Sequence, residues 1–144
     1  MPNETLLKFR YPQTLIREYR HWVVLLRPKQ VTAGSLVIVS SNEATALSEL
    51  TESAFAELCT VTAHTELALG KAFNNDKINY LALMMVDKHV HFHVLPRYAA
   101  ARNVCGVTFE DSDWPNPPDL TKATELDRAQ FEALLKDLQN HWPE

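Results

Sequence analysis

The chain has 144 residues, 46% of them hydrophobic, enough for one buried core and too few for two ordinary domains, so a single domain over 1–144 is expected. A net charge of −4 without any basic run argues against binding to nucleic acid, which needs a cation-rich surface to displace counterions from phosphates. No apolar run approaches the ~20 residues of a membrane span, and Met1–Tyr11, with Glu4 and Lys8 among few apolar residues, is unlike a signal peptide; a cytoplasmic protein with no membrane partner is expected.

In chain order, Thr5–Tyr11, Leu15–Glu18 and Trp22–Leu26 are short, rich in strand formers and interrupted by Pro12 and Pro28, and they predict strands of an antiparallel meander. A polar turn ending in Gly34 leads to a further strand over Ser35–Val39. From Glu52 to Phe73, apolar or small residues at Phe55, Leu58, Cys59, Thr62, Ala63, Leu67 and Leu69 recur near the helical period, with Thr51 placed as N-cap and His64 expected on the exposed side. Cys59 and Cys105 are far apart and form no CxxC motif, so both read as free thiols.

Tyr80–Val86 is a continuous apolar run that predicts a strand buried on both faces, and Val90–Pro96 alternates instead, with a tight connection at Asp87 and Lys88. Residues 107–144 predict an irregular tail through Pro115, Pro117 and Pro118, then an amphipathic C-terminal helix marked by Phe131, Leu134, Leu135 and Leu138. His21 and His141 read as structural or surface residues.

His89, His91 and His93 make up half of the six histidines and fall within five residues. In a strand they point to one face, while Val90, Phe92 and Val94 point to the other, toward the core. Three readings compete. Imidazoles can be merely tolerated on a solvated sheet face, where Thr, Lys or Glu are more usual. A zinc site is the second, but alternate strand residues lie ~6.6 Å apart, so His89 and His93 are separated by ~13 Å and cannot easily share one zinc with bonds of ~2.0–2.1 Å. His91 and His93 as a pair would need ligands from elsewhere, and the chain offers no further Cys/His cluster. The third is nucleophilic and acid–base catalysis by imidazole, which ionises near neutral pH and acts without metal or cofactor.

The run His89-Val90-His91-Phe92-His93-Val94-Leu95-Pro96-Arg97 resembles the signature of the histidine triad family, His-x-His-x-His followed by apolar residues, and the resemblance extends over roughly Leu15 to Arg97. It implies an α+β fold, an antiparallel sheet of about five strands with the long helix packed against it and a C-terminal helix, usually as a homodimer. It implies hydrolysis or transfer at the α-phosphate of a nucleotide conjugate, such as a nucleoside phosphoramidate or dinucleoside polyphosphate. By the same resemblance His91 matches the nucleophile that forms a nucleotidyl-histidine, His89 the histidine that orients it, and His93 the one that contacts phosphate oxygens or the leaving group. A nucleotide-binding or sensing protein without turnover, and a zinc-dependent hydrolase, are the alternatives.

Several positions depart from the family pattern. The Gly-rich segment that often precedes the triad is replaced by Leu83-Met84-Met85-Val86-Asp87-Lys88, and with only Gly34, Gly70 and Gly106 in the chain neither a Walker loop nor GxGxxG is possible. Ser35 stands where Pro-Gly-His supplies a further histidine, and Arg27 replaces the usual ribose-binding Asn or Asp. Arg27 reads either as a phosphate contact or as a solvated strand end. Arg97 closes the triad strand as another candidate phosphate contact, and Trp114 either stacks on a base or sugar ring or pins its own loop.

Overall fold

Leu15–Glu18 (β1), Trp22–Leu26 (β2), Leu36–Ser40 (β3), Lys77–Leu81 (β4) and His91–Arg97 (β5) form one antiparallel sheet in the order β1-β2-β3-β5-β4 in a computed structural model that describes all 144 residues. The register places Val24, Ile38 and Phe92 in one row across the sheet, and Leu25, Val37 and His93 in the next. Successive side chains point to opposite faces, so these rows face opposite sides.

One face meets the long helix Glu52–Phe73 (α2) and the C-terminal helix Arg128–His141 (α3). Trp22, Val24, Leu26, Leu36, Ile38, Val90 and Val94 pack there against Ala54, Val61, Leu69, Leu134 and Leu138. Each fully buried Leu or Ile in such a layer contributes roughly 1.5–3 kcal/mol relative to exposure. The α+β architecture and the inward set Val90, Phe92 and Val94 match the sequence-based expectation, with Phe92 only partly buried.

Local chemistry sets the bounds of α2. The Thr51 hydroxyl accepts from the Ala54 N–H at 3.1 Å, and Asn74 ends the helix in the left-handed region with φ 52°. His64 on this helix is half-buried and not exposed as expected, because Tyr19 reaches its Nδ1 at 2.8 Å.

Three other expectations are corrected. Thr5–Tyr11 is not a strand: Glu4–Lys8 is a short helix (α1), its N-cap Asn3 accepting from the Leu6 N–H at 2.9 Å. Five residues are too few for a helical period to show, and Leu6 and Phe9, three apart, turn together toward the sheet. The strand expected over Tyr80–Val86 begins at Lys77 and ends at Leu81; Leu83, Met85 and Val86 are exposed, and Met84 has φ 44°. The segment after β5 is not wholly irregular, since Arg102–Val104 (β6) and Val107–Phe109 (β7) form a hairpin before the proline-rich stretch.

The turn between β2 and β3 is built by one buried side chain. Gln30 Oε1 accepts from the N–H groups of Gly34 and Ser35 at 2.9 and 3.0 Å, while Nε2 donates to the carbonyls of Arg27 and Ser35 at 2.7 and 2.9 Å. Gly34 has φ 83°, and a Cβ there would lie 2.5 Å from the Phe73 ring, so both backbone conformation and space require glycine.

Candidate active site

The second face of the sheet carries Val23, Leu25, Val37 and Val39 together with His91 and His93, and it is covered by α1. Asn3 ties this cover down: besides capping α1, its Nδ2 donates to the carbonyls of Ser40 and Asn42, both at 2.9 Å. The Phe9 ring then lies 6.2 Å from the His91 ring and 5.9 Å from that of His93. His91 and His93 are consequently 1% and 5% exposed, so the histidine face is a buried one.

The two strand imidazoles stand edge to face, ring centres 5.0 Å apart. His91 Nδ1 lies 2.6 Å from the His89 carbonyl oxygen. A carbonyl only accepts, so Nδ1 carries the proton and, in the neutral ring, Nε2 keeps its lone pair. Nε2 makes no hydrogen bond, and among the triad's ring nitrogens only Nδ1 of His93 is both occluded and unbonded.

His89 lies just before β5 and is held from two sides. Its Nε2 is 3.3 Å from Glu43 Oε1 and its Nδ1 is 3.0 Å from the Thr5 hydroxyl. An ionised carboxylate only accepts, so Nε2 donates to Glu43 and, in the neutral ring, Nδ1 accepts from Thr5. The ring is thereby clamped, and its own backbone carbonyl is presented to His91.

His93 is pushed down to about 4, first by burial, then by the positive charge of Arg27 and by His91, with Asp87 opposing. It is neutral at pH 7. Arg27 is itself held below its ordinary value by burial, again opposed by Asp87. Asp87 pairs with Lys8 of α1 at 2.7 Å, and beside them a cleft of about 340 Å³ opens between α1 and the segment before β5, reaching His89 and Lys88.

Not all the candidate residues gather here. Ser35 is fully buried in the turn, donating to the Thr32 carbonyl at 2.7 Å and accepting from the Thr32 N–H at 2.9 Å, so its hydroxyl is committed to the fold. Arg97 donates through Nε and Nη2 to both oxygens of Asp111 at 2.7 and 3.0 Å, through Nη1 to Asn79 at 2.7 Å, and through Nη2 to the Asn116 carbonyl at 2.8 Å. Four of the five N–H donors of that guanidinium are thus taken by protein groups, which gives it a structural role in place of the phosphate contact expected of it. Trp114 lines a cleft of about 740 Å³ along β4 together with Arg97 and Leu81, and Leu81 pairs with His93 across the strands.

Thr5, Phe9, Glu43 and Asp87 were not singled out by sequence reasoning. Only Asp87 carried a signal, a charged residue two positions ahead of the triad, and it read as a connection. No group of three or more His, Cys, Asp or Glu side chains is arranged to hold a metal ion.

Comparison with known proteins agrees with this geometry. The chain is similar in fold to a histidine triad protein from Sinorhizobium meliloti, with a TM-score of 0.76 and 21% identity over 98% of this chain and 96% of that one. A histidine triad protein from Marinobacter aquaeolei gives a TM-score of 0.77 and 19% identity, covering 99% and 95% of the two chains. A zinc-bound histidine triad family protein from Mycobacterium smegmatis is more distant, at TM-score 0.59 and 17% identity over 88% and 84%. At these identities the likeness is one of fold. No curated protein matches the chain significantly. The HIT domain family model matches residues 8–100, which contain the sheet, α2 and all three histidines. The chain therefore belongs to the histidine triad (HIT) family.

Proposed function

We propose that the protein is a nucleotidyl hydrolase or transferase acting at the α-phosphate of a nucleotide conjugate, a dinucleoside polyphosphate, a nucleoside phosphoramidate or a similar conjugate, through a covalent nucleotidyl-histidine on His91. The observation that carries this reading is the 2.6 Å contact from His91 Nδ1 to the His89 carbonyl, which leaves Nε2 as the lone-pair nitrogen. In the first step Nε2 forms a bond to the α-phosphorus while the bond to the leaving group breaks, and the leaving group departs with the bonding pair, taking a proton from solvent where its basicity requires one. In the second, water attacks the phosphorus, the P–N bond breaks and restores the lone pair of Nε2, and the proton of the water passes to solvent.

Neutral His93, its ring centre 5.0 Å from that of His91, offers a hydrogen-bond donor to the phosphoryl oxygens, and Arg27 adds a positive charge that reaches His93. Because His93 is not protonated in the free protein at pH 7, substrates with good leaving groups are expected to turn over faster than alkyl phosphoramidates, whose nitrogen must be protonated. The test is stereochemical. Two in-line displacements at a chiral α-phosphorus give net retention; inversion would mean direct attack by water and would remove His91 as nucleophile.

The tight cover of α1 over His91 and His93 favours a second reading, a nucleotide-binding or sensing protein without turnover. Release of mononucleotide from any member of a panel of dinucleoside polyphosphates and phosphoramidates decides between the two. For the zinc-dependent alternative, activity is expected to survive exhaustive chelation; loss that zinc alone restores would reverse the assignment.

The same reading includes a cytoplasmic homodimer. Its support is the unpaired outer edge of β4 and the exposed Phe55 and Leu67 on α2, an apolar flank suited to an isologous contact; no helix is long and apolar enough to cross a membrane. Light scattering is expected to give twice the 16.4 kDa chain mass, and a 16.4 kDa species at micromolar concentration would count against the dimer.

A further inference from the structure

The proton on His91 is placed by a carbonyl that the sheet does not hold. His91 Nδ1 lies 2.6 Å from the His89 carbonyl oxygen, yet His89 sits in a bend ahead of β5, and no backbone N–H donates to that oxygen. A neutral imidazole can carry its proton on either nitrogen. His91 therefore keeps Nε2 as its lone-pair nitrogen only while the His89 carbonyl stays where it is.

Two side chains from distant parts of the chain hold the His89 ring, which is 2% exposed. Thr5 of α1 meets its Nδ1 at 3.0 Å, and Glu43, in the segment between β3 and α2, meets its Nε2 at 3.3 Å. The two contacts are not equivalent. A hydroxyl both donates and accepts, so Thr5 fits either tautomer of the ring, whereas an ionised carboxylate only accepts and fixes the proton on Nε2. Glu43 selects the tautomer and Thr5 follows it.

Glu43 is exposed, but the turn that presents it is tied down on both sides. The Asn42 carbonyl accepts from Asn3 Nδ2, the Asn42 side-chain oxygen accepts from the Ala44 N–H, and the Ala44 carbonyl accepts from the Val90 N–H, all at 2.9 Å. Its two neighbours are thus bound to the cap of α1 and to the residue that follows His89. An ion pair this exposed adds little to stability; what it sets is the position of a proton beside the nucleophile. We propose that Glu43 and Thr5 are positioning residues for nucleotidyl transfer: acting through His89, they keep its ring in the Nε2–H tautomer and its carbonyl on the Nδ1–H of His91, so that His91 Nε2 remains the attacking nitrogen. This rests on the reading of His91 given above.

Long-range proton–nitrogen correlation NMR reads which ring nitrogen carries the proton. The wild-type protein is expected to show Nε2–H for His89 and Nδ1–H for His91. In Glu43→Ala the His89 proton moves toward Nδ1, where Thr5 accepts it, and the His91 ring becomes a mixture of both tautomers. Glu43→Gln, whose amide oxygen still accepts, keeps the wild-type pattern. Thr5→Val, of the same shape without the hydroxyl, is expected to mix the His91 tautomers as well, and Thr5→Ser to restore them. In turnover, Glu43→Ala and Thr5→Val should each lower kcat about 10-fold at unchanged KM, the order of effect seen when the outer partner of a functional histidine is removed, with the Gln and Ser variants close to wild type. Circular dichroism checks that each variant is folded; if Thr5→Val is not, the exposed Glu43 position carries the test. A His91 ring that stays fully Nδ1–H in Glu43→Ala overturns the proposal, whatever happens to kcat, and so does an unchanged kcat. If the wild-type protein turns over no conjugate, the nucleotidyl-transfer reading fails, and the spectra alone decide whether Glu43 and Thr5 set the tautomer of His91.

Discussion

His91→Ala is expected to lower kcat by at least ~10³-fold while the protein stays folded, since removing a covalent nucleophile eliminates the reaction path and leaves only what binding and electrostatics supply. The expected loss is a transition-state effect, so KM for a poor substrate should change much less than kcat. Little of the stability lost should come from hydrogen bonds, because His91 Nε2 makes none and the single bond of Nδ1 is to the carbonyl of His89, just before the strand. The main cost is the cavity left beside Phe9 and His93 in this buried layer, about 2–3 kcal/mol, and retention of the fold is checked by circular dichroism. An α-phosphate-labelled substrate quenched early should leave acid-labile label on the wild-type chain and none on the variant. A folded His91→Ala protein that keeps most of its activity would assign the chemistry elsewhere.

Arg97→Ala is expected to show the opposite pattern, a large loss of stability and little change in the nucleotide KM of the protein that remains folded. The side chains of Arg97 and Asp111 are 4% and 3% exposed, and their bidentate contact also anchors Asn79 and the Asn116 carbonyl. Removing one partner of a buried pair leaves the other charge uncompensated, at a cost of about 3–5 kcal/mol. For a chain of this size that corresponds to a drop in Tm of about 10 °C or more, measurable by circular dichroism.

The sign with pH follows from Asp111. Burial pulls its carboxyl up, but the hydrogen bonds from Arg97 and the Tyr98 N–H and the charge of Arg97 outweigh this and hold it below the usual value. A depressed carboxylate contributes stability above its unfolded pKa of ~3.9 and loses that contribution as pH falls through the folded value. The difference in Tm between wild type and Arg97→Ala should therefore be full at pH 7 and shrink below about pH 4. A variant with unchanged Tm and a raised nucleotide KM would restore Arg97 to the phosphate contact its position in sequence suggested.

Arg97 and His91 lie on one strand and carry the same kind of sequence signal, a polar residue on the alternating pattern, yet the fold uses them differently. Local pattern was sufficient for β2, β3, β5 and for α2, whose bounds coincide with Glu52–Phe73 because the Thr51 cap and the helical period are both written in neighbouring residues. It was also sufficient to put His91 and His93 on the face away from Val90 and Val94, since alternation is a property of the strand itself. Alternation does not say what lies over a face. That α1 covers the imidazoles rests on contacts such as Thr5 to His89, 84 residues apart, and a five-residue helix leaves no period by which it could be foreseen. Apolar residues read alike whether buried or exposed, which is why Leu83, Met85 and Val86 suggested a strand that ends at Leu81. Whether an arginine meets a ligand or a carboxylate depends on which loop the chain folds beside it: Asp111 arrives at Arg97, while Asp87 is drawn to Lys8 and leaves Arg27 with open donors. The strands β2, β3 and β5, the helix α2 and the triad were determined by short-range sequence, and the cover of α1 and the roles of the charged residues were decided by long-range packing, because pairing and burial belong to the folded surroundings of a side chain and not to the residue itself.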